Sequence, residues 1–296
     1  MSSHRNRMHV VDVFAEEKYA GNQLAVVHDA ADLSTEEMQA IIRETNFSEA
    51  TFIESVEPRD GGYDVRIFDP AEEIPFAGHP TLGTAAVIRE FVCEDRPDEL
   101  TLNLGVGQIP VWVEEDAVDE QYWMRQIPPT FEDELDHETA ARVLGLDARD
   151  VDEDFPIQFV STGLPTLVVP LDSLDAAERA STNHGPYERD IVDPYGNVNI
   201  LVFTTEAVDD TDLHVRVFSD SAGVPEDPAT GSSNGCLAAY LVEHEYFGSR
   251  DIDVQVEQGY EMGRPSRLHL RATKENGDVD VRVGGRVVPV FEGHLL

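Results

Sequence analysis

A strand ending in Phe, a turn, a Gly followed by a polar residue, and then an almost wholly apolar helix occurs twice in this 296-residue chain. The first copy is VRIFDPAEEIPFAGHPTLGTAAVIRE, residues 65–90, and the second is VRVFSDSAGVPEDPATGSSNGCLAAYLVE, residues 215–243. With Gly78 set on Gly231, His79 meets Ser232, Ala85-Ala86 meet Ala238-Ala239 and Glu90 meets Glu243. Such a duplication predicts two related halves, each launching a helix from a strand end. A helix N-terminus presents unpaired backbone N–H groups and the positive end of the dipole. Two of them aimed into one cleft would make an anion site.

The helical segments 82–92 and 236–247 are apolar on most faces over their first turns. A helix without a polar face has to be surrounded. Strands outnumber helices here and hairpin-length connections abound, which predicts an α+β chain with each half a curled mixed sheet, barrel-like, around its central helix. Strands are expected at 8–14 and 23–28 around the turn 20–22, and Ser34 with Glu37 forms a capping box for a helix to about Thr45. Strands at 50–55 and 62–68 and a pair within 101–115 complete the first half. The second half repeats the order: a strand pair around QYWMRQI, a helix near 137–144 ended by Gly145, strands in QFVSTGLPTLVVPL, a helix over 173–180, then NVNILVF and HVRVF. The acidic stretch near 116–120 is the expected boundary, giving domains 1–118 and 119–286, with the last strand, about 287–296, crossing back to the first.

With 21 basic against 59 acidic residues, the net charge of −38 would repel nucleic acid and anionic membranes. The acids are spread through the strand and helix patterns, as on a solvated surface suited to high salt, and a halophilic source is expected. The N-terminus lacks an apolar leader and no apolar run nears spanning length, so a soluble cytoplasmic protein is expected. Cys93 and Cys236 provide neither metal spacing nor a disulfide framework, and Cys236 reads as a small core residue.

Several residues could carry chemistry. Glu49, between a helix end and the apolar ATFI, is a solvated loop acid on the plain reading. Partial burial would instead raise its pKa and make it a general acid/base. His79 follows Gly78 at a helix start, as a cap or packing residue or, facing a cleft, as a neutral imidazole able to pass a proton. Asp227, Thr230 and Ser232 are all good N-terminal cappers. In the mirrored setting Asp227 could equally be an acid/base partner of Glu49. Nothing activates Ser232 as a nucleophile, and no Gly-x-Ser-x-Gly elbow, Walker loop or dinucleotide fingerprint is present. Gly78 and Gly231 would let backbone amides approach a carboxylate closely.

The set GNQLAVV, NFSEATFI, FAGHPTLGTA, STGLPTLVV, EDPATGSSNGCLAAYL and QGYEMGRPS, spread over nearly the whole chain, closely resembles the PhzF-like family of phenazine-biosynthesis isomerases. The resemblance implies the diaminopimelate epimerase-like fold, two pseudo-symmetric domains with a central helix in each. It implies that Glu49 moves a proton between two carbons of a small carboxylate-bearing substrate in the interdomain cleft. His79, Asp227 and Ser232 would assist, and Gly78, Thr230, Gly231 and Asn22 would bind or orient that substrate. No cofactor or metal is implied, and a homodimer is. Related epimerases and proline racemases carry a thiol at each helix tip, where this chain has His79 and Ser232, so a one-base shuttle is expected. The alternatives are an amino- or hydroxy-acid epimerase or racemase, and a non-catalytic binding or interaction member.

Overall fold

The structure is a computed structural model that describes residues 6–115, 120–219 and 224–296. The expected boundary near 116–120 therefore lies almost wholly outside the described residues, as does the 220–223 part of the second repeat. The chain forms two compact units, Met1–Met124 with Gly284–Leu296, and Arg125–Val283.

In the first unit, β1 (Arg7–Val13) pairs antiparallel with β2 (Asn22–His28), Val13 opposite Asn22. The link between them needs Gly21 at φ 64°, because a Cβ there would lie 2.3 Å from the Val13 carbonyl oxygen. Helix α1 (Thr35–Thr45) starts at the Ser34–Glu37 capping box and crosses over to β3 (Glu49–Ile53), which runs parallel to β2. Met38 and Ile42 of α1 seal one face of this sheet over Ala25, Val27, Ala50, Phe52 and Phe68. Antiparallel β4 (Tyr63–Phe68) follows, with the short β5 (Glu73–Ile74) beside it. Helix α2 (Gly78–Val87) then crosses to β6 (Glu99–Leu104), parallel to β4, and β7 (Gly107–Glu115) and β8 (Glu120–Arg125) continue antiparallel.

All ten residues of α2 are buried. The helix packs on β1, β2, β3, β6 and β7, so the sheet curls around it. The approach is close: a Cβ on Gly83 would lie 2.6 Å from Leu24 Cδ2 and 2.8 Å from Val13 Cγ2. Past Val87 the helix widens into a π-turn, Ile88–Val92. Its buried Arg89 is held by Glu115 at 2.7 Å, Glu120 at 3.0 Å and the Pro97 carbonyl at 3.0 Å.

The second unit repeats this plan strand for strand. After β9 (Thr130–Leu135) and α3 (His137–Val143), antiparallel β10 (Ile157–Ser161) and β11 (Pro165–Pro170) take the places of β1 and β2. The crossover to parallel β12 (Asn199–Thr204) holds α4 (Leu174–Arg179), α5 (His184–Tyr187), a π-turn and α6 (Asp193–Tyr195). The sequence reading placed only the first of these. Gly185, Pro186 and Pro194 read as loop punctuation, yet Tyr187 and Ile191, four residues apart, are buried and anchor the segment. Then β13 (Leu213–Ser219), β14 (Val224–Asp227), α7 (Gly231–Glu243), β15 (Asp251–Gln258), β16 (Ser266–Glu275) and β17 (Asp278–Gly285) follow. As with β4 and β6, β13 and β15 are parallel on either side of the buried helix. The final strand, β18 (Val287–His294), pairs antiparallel with β1.

Helix α7 is buried from Gly231 to Val242. Cys236 is one of its core residues, fully enclosed.

The second unit also holds a charge network that the sequence did not announce. His214 on β13 sits opposite Glu257 on β15. The fully buried imidazole contacts Glu257 Oε1 at 2.7 Å through Nδ1 and Glu261 Oε1 at 3.0 Å through Nε2. Burial disfavours its charge, but the hydrogen bonds from Glu257 and Glu261 win and push its pKa up to about 9. Beside it Arg216 makes a fork with Glu226, 2.8 and 2.9 Å, and its Nη1 donates to the carbonyls of Ala177, Glu178 and Ala180 at the end of α4.

A pKa raised from 6.5 to about 9 contributes stability below pH 6.5 that is lost as pH rises through 9. His214→Gln is expected to destabilise by roughly 3–5 kcal/mol, since it leaves buried carboxylates without their cation. It should also flatten the decline in stability over pH 6.5–9. Urea unfolding at several pH values checks both, and an unchanged slope would place the pH dependence elsewhere.

Candidate active site

In the first unit the site residues sit at strand starts and a helix start. Asn22 opens β2 and is buried, and Ser48 Oγ donates to Asn22 Oδ1 at 3.4 Å. Asn46, left-handed at φ 57°, ends α1 and turns the chain into β3. Glu49 is the first residue of β3, and strand alternation puts it on the same face as Thr51. Thr51 Oγ1 lies 2.7 Å from Thr84 Oγ1 of α2, so that face is turned to the central helix. Glu49 therefore looks toward α2, and its Oε2 lies 3.5 Å from His79 Nε2.

His79 is buried in the first turn of α2. The helix begins without a side-chain cap, because Ala77 occupies that position, and Pro80 has no N–H to offer. This leaves the Gly78 and His79 amides at the positive end of the dipole.

Glu49 Oε2 is shielded from solvent and has no hydrogen-bond partner among the described residues. Burial pushes the carboxyl up to about 7, the Ser48 hydrogen bond opposes the shift and the Asp69 charge adds to it. The carboxyl is thus close to half-ionised at neutral pH, where a general acid/base is most effective.

In the second unit β14 ends at Asp227, and α7 begins four residues later at Gly231. Thr230 holds the N-cap position but does not cap. Its hydroxyl instead donates to Asp227 Oδ2 in a short hydrogen bond. Ser232 is buried in the first turn, its carbonyl accepting from Thr162 Oγ1 at 3.2 Å. Asp227, Thr230, Gly231 and Ser232 thus come together at one helix start, as Glu49, His79, Gly78 and Asn22 do in the other unit.

Sequence reasoning about individual residues missed what holds the 227–230 segment. Gln258, the last residue of β15, donates through Nε2 to the Asp227 carbonyl at 2.7 Å and accepts at Oε1 from Thr230 N at 3.3 Å and Asn234 Nδ2 at 2.8 Å. Gly259 follows at φ 79°, where a Cβ would lie 2.7 Å from the Pro228 carbonyl oxygen, and Ser266 Oγ donates to that same oxygen at 2.9 Å. The QGYEMGRPS segment is therefore a brace for the Asp227 turn. The signal was present as a polar residue and a Gly at the end of an apolar strand.

Neither thiol occupies a helix tip. Cys93 lies beyond the π-turn, and Cys236 is more than a turn inside α7, where burial raises its pKa. Among the described residues no three His, Cys, Asp or Glu side chains gather as a metal would need, and no helix is long and apolar enough to cross a membrane.

The family model described as "Phenazine biosynthesis-like protein" matches residues 11–293. The chain belongs to this family, the PhzF family. It is 35% identical over 293 residues to the trans-2,3-dihydro-3-hydroxyanthranilate isomerase of Pseudomonas aeruginosa, covering 97% of this chain and 98% of that one. A PhzF family protein of Bacillus anthracis superposes with a TM-score of 0.89 at 30% identity, covering 98% of this chain and 99% of its own. A probable proline racemase of Agrobacterium radiobacter, 10% identical, still superposes with a TM-score of 0.62 over 98% of this chain and 93% of that one, which extends the likeness in fold to the racemases. This PhzF protein is an isomerase with the diaminopimelate epimerase-like α+β fold.

Replacing Glu49 with Gln tests the electrostatic reading of the PhzF half-site. A carboxyl raised from 4.5 to about 7 favours folding below pH 4.5 and loses that contribution as pH rises through 7. Glu49→Gln should therefore be more stable than the parent above pH 7, by on the order of 2 kcal/mol, with the gap closing toward pH 5. Denaturant titrations at pH 5 and 8 check it, and an equal difference at both would show that Glu49 has an ordinary pKa.

Proposed function

We propose that the protein is a cofactor-independent isomerase that moves a proton between two carbons of a small, unsaturated, carboxylate-bearing metabolite, with Glu49 as the shuttle. The observation that carries this reading is a shielded carboxyl with a pKa of about 7 held 3.5 Å from an imidazole. Ionised Glu49 removes a proton from a carbon acidified by the adjacent unsaturation. The electron pair is delocalised toward the substrate carboxylate, and the now neutral Glu49 returns the proton to a second carbon of the same conjugated system. Atoms balance within the substrate and nothing is oxidised or reduced. His79 adjusts the charge at Glu49 during the transfer, and Asn22 fixes the Ser48–Glu49 corner.

The developing negative charge would be met by backbone N–H groups at the uncapped helix starts, Gly78 in one unit and Gly231 in the other. Both half-sites are assigned to the same substrate. Asp227 and Ser232 assist at the α7 tip, with Thr230 holding the Asp227 carboxylate. An epimerase using Glu49 and Asp227 as opposed bases is less well supported, because Asp227 is engaged by Thr230. The cyclic dihydroxyanthranilate-type substrate named for the Pseudomonas relative belongs to the proposed class.

The test is solvent exchange. Small unsaturated carboxylates, that compound among them, are incubated with the protein in D2O and deuterium at carbon is read by NMR. Glu49→Gln is expected to reduce exchange by roughly 10²–10⁴-fold while leaving ligand binding within a few-fold. Undiminished exchange in the variant would remove Glu49 from the role.

A further inference from the structure

The chain leaves Gln126 to directly follow β8, its backbone N–H bound to the Val281 carbonyl at 2.9 Å. Its side chain is only 6% exposed. Both amide atoms, Oε1 and Nε2, are shielded from solvent, and neither has a hydrogen-bond partner among the described residues. Buried amides in folded proteins are nearly always paired, so a group with both ends open calls for an explanation.

Its location supplies one. A Cβ on Gly235 of α7 would lie 3.0 Å from Gln126 Cγ and 3.3 Å from both Cδ and Oε1. In a helix the Cα–Cβ direction tilts toward the N-terminus, and a residue covers the turn preceding its own Cα. The Gln126 amide therefore lies over the turn that begins at Gly231 and Ser232. Gly235 leaves it that room, since any side chain there would displace it. This is the helix start that Thr230 does not cap. An open polar side chain and an uncapped row of backbone N–H groups thus share one end of α7.

We propose that Gln126 is a substrate-binding residue of the α7 tip, and that the site takes a carboxylate with an amino or hydroxyl group on the neighbouring carbon. One carboxylate oxygen accepts from the first-turn N–H groups and from Gln126 Nε2. The adjacent N–H or O–H donates to Gln126 Oε1. The two halves of the amide match the two halves of such a ligand, whereas a plain carboxylate would leave Oε1 open. This rests on the reading that the substrate carboxylate docks at α7, and it names the substrate class for that site.

The experiment is equilibrium binding to the full chain by calorimetry, with 2-aminobenzoate and benzoate as probes, alongside thermal melts without ligand. Wild type should bind 2-aminobenzoate about tenfold more tightly than benzoate, since a site built to accept a hydrogen bond rejects a ligand lacking the donor. Gln126→Met, of similar length but without polar atoms, should bind the two equally. It should melt no lower than wild type, because it removes an unpaired buried amide. A merely structural glutamine predicts the reverse: a lower melting temperature and unchanged discrimination. That result overturns the proposal, as does a wild type that fails to bind either probe at millimolar concentration or fails to distinguish them. Gln126→Leu provides the same comparison should the Met variant not fold. Binding needs no turnover, so failure here leaves the Glu49 exchange result untouched, and failure of the Glu49 exchange test leaves this measurement intact.

Discussion

Enclosing an apolar helix while leaving its N-terminus uncapped is the constraint on which this protein depends. Helices α2 and α7 have no polar face to give to water, so each must be wrapped by strands on every side. The wrapping needs close approach, which is why Gly83 lies against Leu24 and Val13 and Gly235 against Gln126. The strands that hold the helix also bring their ends to its first turn. A buried helix of this kind delivers backbone N–H groups, a dipole and flanking side chains to one point, and the fold repeats the device in both units.

Chemistry enters at the first unit through a small matter of position. Glu49 is the first residue of β3, shielded enough to lose much of its hydration yet not enclosed by the strand ladder. Desolvation places its pKa at about 7 without any nearby like-charged partner as the principal cause. His79 arrives from the helix, and the pair is assembled from segments 30 residues apart by the pairing of β2 with β3 and the packing of α2 beneath them. The second unit has no equivalent carboxyl–imidazole pair at its tip. It has instead the Asp227–Thr230 hydrogen bond braced by Gln258 and Gly259. The duplicated scaffold thus supports two different sets of side chains.

Charge in the interior is handled by a few well-satisfied cations. Arg89 and Arg216 each direct their forks at carboxylates and carbonyls, using the planar geometry that an ammonium group lacks. Arg216 ties Glu226, the residue before Asp227, to the end of α4, and His214 secures Glu257, the residue before Gln258. Both ion groups therefore stand one residue away from the site, and their geometry fixes the segments that carry it.

The amino-acid sequence on its own determined the duplicated plan, the capping box of α1, the two enclosed helices and the identity of the polar residues at their starts, because these are written in local periodicity, capping residues and repeated motifs. It also specified the family through motifs whose order runs along the whole chain. It could not show the short helices over 184–195, where Pro and Gly mimic a loop and only the burial of Tyr187 and Ile191 reveals the packing. Nor could it show that His214 faces Glu257, that Gln258 reaches Asp227, or that the amide of Gln126 lies unpaired over α7. Those facts belong to tertiary structure alone: each depends on which strand lies beside which, and pairing partners tens of residues away leave no trace in the local pattern of any one segment.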